Sequence, residues 1–149
     1  MTATFPWAGR ADNHCFGCSP ANPTGLRLEF HVDGNALCTE FALDKHYESY
    51  PEVVHGGILA VICDETMGNL VVSRLGTPAL TTSMRMRFVG VVSVGRRYRC
   101  VASATFGTGL VRANAEILDS HGAVVGTATA SYRPKPAPDG AHPTRKEPT

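Results

Sequence analysis

The sequence predicts an α+β domain in which a curved antiparallel sheet wraps around one long central helix. Three observations carry that reading. Residues 53–72 read VVHGGILAVICDETMGNLVV, with six consecutive apolar residues from Ile58 to Cys63. Segments on both sides alternate apolar and polar residues, the period of a half-buried strand. Most of those segments follow the helix one after another, which suits an antiparallel layer rather than alternating strand–helix units.

The helix comes first in the argument. Six apolar residues in a row cover every direction around a helix with about 3.6 residues per turn, so its first half has to be enclosed by protein. The run is too short to cross a bilayer, which takes roughly 20 residues. A start near His55 or Gly56 is expected, and a stop at Gly76 with Pro78 just beyond. Asp64 and Glu65 stand side by side in its middle. A buried carboxylate is costly unless it is paired, solvated by a cleft or kept for chemistry.

In chain order, residues 1–24 hold Pro6, Gly9, Gly17, Pro20 and Pro23 and read as an irregular N-terminal arm. Within it, Cys15-Phe16-Gly17-Cys18 has the spacing that starts a zinc site or a redox pair. A second matching pair is absent, which leaves His31 and Cys38 as completing ligands and packing thiols as the default. A first strand is expected where Leu26, Leu28 and Phe30 alternate with Arg27, Glu29 and His31. Val32-Asp33-Gly34-Asn35 is a hairpin turn, and Leu37, Thr39, Phe41 and Leu43 mark a second strand. Beyond the helix, 79–89 places Met84, Met86 and Phe88 on one face and Ser83, Arg85 and Arg87 on the other. Strands over 96–106, 110–118 and 123–133 follow, so that 25–133 make one domain. The proline-rich residues 134–149 are expected to be a disordered tail.

Composition narrows the function. The 149 residues, 43% hydrophobic, suffice for one core, and a net charge of +1 excludes nucleic acid as a bulk electrostatic partner. Five cysteines, an odd number, and no apolar leader point to a reduced, cytoplasmic protein with no membrane span.

The helix start and its pair of acids are the candidates for chemistry. A helix N-terminus offers unpaired amides and about half a positive charge, and glycine there admits a substrate to the backbone, so Gly56 and Gly57 are candidate oxyanion donors. Asp64 and Glu65 point about 100° apart, so one of them faces a cleft while the other meets a polar partner or the cleft margin. His55 either orients a loop or substrate carbonyl or bonds to backbone. Gly57 and Asp64 are seven residues apart, about 10.5 Å of helical rise, too far for one helix to bring both to a single carbonyl. Two antiparallel copies across a two-fold interface would do so, which predicts a homodimer. Cys63 reads as packing.

The helix opening on His-Gly-Gly with an acid nine residues after the histidine, VVHGGILAVICDETMG from Val53 to Gly68, resembles the hotdog-fold acyl-CoA thioesterases, in particular the PaaI-like branch. CFGCSPANPTGLRLEF, Cys15 to Phe30, is similar to the arm before the first strand in many of its members. The resemblance implies hydrolysis of an acyl-CoA thioester with no metal and no organic cofactor. It implies Asp64 as attacking group or general base, Gly57 as the carbonyl-polarising amide, and dimers that often pair into a homotetramer. It also implies a hydroxyl after the helix that positions water, with Thr81 favoured and Thr82 and Ser83 beside it. Glu48-Ser49 stand where some relatives carry Asn or Gln. Ser49, Tyr50 and Phe16 are candidates to line the acyl pocket, and Arg85, Arg87, Arg96, Arg97 and Arg99 to meet phosphates. Two other readings share the pocket: an enoyl-CoA hydratase or dehydratase using His55, and a non-catalytic acyl-CoA-binding domain with no need of Asp64.

Overall fold

The computed structural model describes residue 5 and residues 7–136; the expected tail from 137 onward lies outside the described residues. The central helix, α1, runs Gly56–Leu75. His55 caps its start in an extended conformation, its side chain accepting the Gly57 N–H. Gly76 ends it at φ 70°, a left-handed conformation that glycine adopts without a Cβ penalty, and its N–H donates to the Val72 carbonyl. No residue from Ile58 to Val72 is exposed. The apolar run is enclosed on most sides, and Ala60, Val61, Asp64 and Gly68 form a half-buried stripe along the helix.

Around it lie β1 (His31–Asp33), β2 (Ala36–Phe41), β3 (Ala79–Phe88), β4 (Tyr98–Thr105), β5 (Val111–Leu118) and β6 (Val124–Pro134). They form one curved sheet in the order β1-β2-β4-β5-β6-β3, antiparallel at every step. Its helix-facing side is built from small residues at the centre. Ala102 lies opposite Ala115, Ala115 opposite Ala128, and Ala113 opposite Ala130, all buried. Short side chains there let the helix sit close to the sheet, while Ile62, Met67, Leu70 and Ile117 fill the space that remains.

Two local features depart from simple alternation. The strand expected over 26–31 forms no ladder until His31. The amides of Leu26 and Leu28 donate instead to the carbonyls of Phe16 and Gly17, at 2.8 and 2.9 Å. The alternating burial is real, since Leu28 and Phe30 are core residues, but the arm satisfies this backbone where a strand would have. The second departure is a bulge in β3. Thr81 pairs with Tyr132 and Ser83 with Ser131, leaving Thr82 as an extra residue. The bulge switches which residues face the helix: Ala79 and Thr81 before it, Met84 and Met86 after it.

Among the described residues no helix is long and apolar enough to cross a membrane. Ile62, fully buried on α1, reports on the enclosure of the helix. Ile62→Val is expected to cost about 0.5–1.5 kcal/mol and Ile62→Ala about 2–5 kcal/mol, read from urea unfolding midpoints. Equal, small effects for both would show that this side chain is not enclosed.

Candidate active site

Asp64 sits half-buried on α1 with one oxygen held by two hydroxyls. Thr81 Oγ1 donates to Asp64 Oδ1 at 2.9 Å, and the Tyr132 O–H donates to the same oxygen at 2.8 Å. The Tyr132 hydroxyl also lies 3.2 Å from the Asp64 carbonyl oxygen. The two donors come from opposite members of one cross-strand pair, and the β3 bulge turns Thr81 inward to reach the helix. Gly68, one turn beyond Asp64, makes room for the ring: a Cβ there would lie 3.4 Å from Tyr132 Cε1. Among the described residues nothing donates to Asp64 Oδ2, so that oxygen is free for water or substrate. Burial, and then the Asp64 charge, push the Tyr132 phenol well above its ordinary range, so it stays a donor.

Asp64, Thr81 and Tyr132 line a cleft of about 180 Å³ together with Trp7, Cys15, Cys18, Glu65 and Asn69. Glu65 faces the arm. Cys15 Sγ is 3.1 Å from Glu65 Oε1, and Asn69 Nδ2 donates to Oε2 at 3.0 Å. Burial raises the Glu65 carboxyl to about 7, and the Cys15 charge adds to that. The Cys18 thiol, hydrogen-bonded to Cys15, holds the Cys15 thiol below its usual range. The two neighbouring acids have different hydrogen-bond partners, yet both line this one cleft.

The start of α1 belongs to a second hollow, about 380 Å³, lined by His46, Tyr47, Glu48, His55, Gly57 and Ile58. His55 Nδ1 accepts the Gly57 N–H at 2.9 Å. Gly56 lies against Phe88, whose ring a Cβ would meet at 3.1 Å, and among the described residues its N–H has no partner. No carboxylate among the described residues bonds to His55, the pairing that hydratase chemistry would need.

The remaining candidates disperse. Thr82 Oγ1 donates to the Ser131 carbonyl, and Ser83 joins Arg85 and Arg112 in a separate hollow of the sheet. Ser49 is exposed, its amide tied to the Val53 carbonyl, and Tyr50 is 78% exposed. Arg97 and Arg99 pair with Glu40 and Asp33. Cys63 is fully buried against the Cys100 thiol, which with burial raises its pKa and leaves it inert. Cys38 contacts Arg99 Nη2 at 3.2 Å, and neither it nor His31 joins Cys15 and Cys18; Glu65 does. Tyr132 was not among the expected site residues. Its signal was present: β6 alternation puts it on the buried face after Ala128 and Ala130, and a buried phenol needs a partner.

A sequence model of the thioesterase superfamily matches residues 52–125, from just before α1 into β6. The matched stretch belongs to the thioesterase superfamily. Solved structures share the hotdog fold at low identity. A thioesterase superfamily protein aligns with TM-score 0.73 and 15% identity over 80% of this chain, which spans 62% of that protein's length. The E. coli PaaI protein from the phenylacetic acid degradation operon aligns with TM-score 0.68 and 15% identity, over 74% of this chain and 80% of its own. A hypothetical thioesterase protein from Streptococcus pneumoniae, solved with coenzyme A, gives TM-score 0.67 and 18% identity over 72% and 85%. No curated protein matches the sequence.

The Tyr132 contact can be tested without an assay for turnover. The folded chain keeps the phenol protonated where the unfolded chain loses its proton, so this stability is complete below about pH 10 and declines as pH rises above it. Tyr132→Phe is expected to cost about 1.5–3 kcal/mol at neutral pH, the range for a hydrogen bond to a charged group. Urea unfolding above about pH 10 should show a shallower further decline in the variant than in the wild type. A parallel decline would place the phenol in water.

Proposed function

We propose that this protein hydrolyses acyl-CoA thioesters, with Asp64 as the carboxylate that attacks the carbonyl or takes the proton from the attacking water. The observation that carries the reading is the arrangement at Asp64: one oxygen fixed by Thr81 and Tyr132, the other open to the cleft. Fixing one oxygen orients the carboxylate and keeps the second free for the reacting atom. Thr81, at the cleft wall, also positions water.

The oxyanion is received by the glycine amides that open α1. The Gly56 N–H needs no rearrangement, whereas the Gly57 N–H becomes available when the His55 imidazole swings off it. Such a donor contributes of order 2.7–4 kcal/mol in other enzymes. Seven or eight residues of helix separate these amides from Asp64, so each site draws its amide from one copy and its carboxylate from the other. An edge strand with exposed Leu80 and Phe88 beside α1 is consistent with a homodimer built along β3. Coenzyme A bound to the S. pneumoniae protein supports the substrate class.

The test is thiol release from a panel of acyl-CoAs. Turnover of at least one ester is expected, with Asp64→Asn and Asp64→Ala lowering kcat by about 10²–10⁴ and changing KM little. Thr81→Val should lower kcat less. Wild-type protein that binds the esters without releasing thiol would sink the hydrolase in favour of a sensing domain, and hydration of an enoyl-CoA would favour the hydratase. Light scattering is expected to give a dimer or a multiple of one; a monomer that turns over would overturn the shared site.

A further inference from the structure

We propose that Cys15, Cys18 and Glu65 form a binding site for zinc or a similar borderline-soft divalent cation, which fastens the N-terminal arm to α1 beside the Asp64 cleft. The two sulfurs and a carboxylate oxygen all lie within 4.8 Å of one another. Bonds of about 2.3 Å to sulfur and 2.0–2.2 Å to oxygen put the ligands of a tetrahedral ion roughly 3.6–3.8 Å apart, so small side-chain rotations close the set. Thiolate donors select zinc over magnesium or calcium.

Three features fit a cation rather than chance proximity. No base neutralises the group: none of the ion pairs among the described residues includes Glu65, whose side-chain hydrogen bonds come from Cys15 and Asn69. Once ionised, two thiolates and a carboxylate repel one another strongly in a half-buried place, and a dication removes that repulsion. Cys15 Sγ and Glu65 Oε1 lie 3.1 Å apart, so two of the three donor atoms already stand side by side. Asn69 holds Glu65 Oε2 and turns Oε1 to the sulfurs, the outer support a ligating carboxylate requires.

The backbone is shaped to the same end. A Cβ on Gly17 would fall 2.1 Å from Glu65 Cγ, so only glycine lets the turn between the cysteines lie on the carboxylate. The amides of Leu26 and Leu28 hold that turn in place from its other side. Three protein ligands leave a fourth position for water, and all three line the cleft that Asp64 and Thr81 also line.

The full-length protein, kept reduced by a phosphine and stripped of metal with a chelator, is titrated with cobalt(II) and then zinc(II). One equivalent of cobalt per chain is expected, with near-ultraviolet sulfur-to-cobalt charge-transfer absorption that equimolar zinc abolishes. Cys15→Ser and Cys18→Ser should lose the band. Glu65→Gln should weaken zinc binding at least ~10-fold and Asn69→Ala by about 10-fold, at unchanged circular dichroism. The proposal is overturned if the wild-type chain gives no band in excess cobalt, an outcome that needs no variant to fold. It is equally overturned by a band that survives Cys15→Ser, or by Glu65→Gln binding zinc as tightly as wild type. A chain with no band whose Cys15 and Cys18 form a disulfide under mild oxidant would be a redox pair instead.

Discussion

The Asp64 carboxylate directly follows the most apolar stretch of the core-forming helix, and two hydroxyls hold one of its oxygens there. A carboxylate taken partly out of water loses hydration that must be replaced by directed donors. Thr81 and Tyr132 supply them from neighbouring strands, so the position of this acid depends on sheet register as much as on the helix. Slip β3 by one residue against β6 and Thr81 turns outward. The bulge at Thr82 fixes that register locally.

The same constraint explains the composition of the sheet. For Tyr132 to reach Asp64, the helix must lie low over β5 and β6, and alanines at 113, 115, 128 and 130 let it do so. Gly68 leaves space beside the ring, since a Cβ there would come into van der Waals contact with Tyr132 at 3.4 Å. Larger side chains at these central positions would lift the helix and leave the carboxylate short of its donors. Packing density and site geometry are set by one group of small residues.

Most of the architecture could be read from the sequence because it rests on periodicity and punctuation. The helix bounds followed from six apolar residues, His55 before Gly56, and Gly76. The strands after the helix fell within a residue or two of 79–89, 96–106, 110–118 and 123–133, because alternation marks half-buried strands on a sheet with one covered face. What failed was a matter of partners. Leu26 to Phe30 alternate as a strand does, yet their amides bond to the arm, and periodicity records burial without saying who accepts the hydrogen bonds. The site was legible in part for the same reason. Thr81 was a favoured hydroxyl, but which residue of Thr81-Thr82-Ser83 turns inward depends on a bulge that no alternation pattern reveals. Tyr132 lies 68 residues beyond Asp64, and only the three-dimensional register brings them together.

On the proposed reading, the helix does two jobs that its length keeps apart. Its N-terminus gathers amides and positive potential, while its apolar middle shields a carboxylate, and about 10.5 Å of rise lies between Gly57 and Asp64. Moving the acid toward the first turn would pair it with the helix's own amides and satisfy both groups internally, leaving neither for a substrate. Distance within one chain therefore keeps the amides and the acid from satisfying one another. Antiparallel apposition of two such helices joins each half to its complement twice, so a two-fold axis yields a pair of identical complete sites from one sequence. His55, resting on the Gly57 amide, gives that donor a partner until a carbonyl oxygen takes its place.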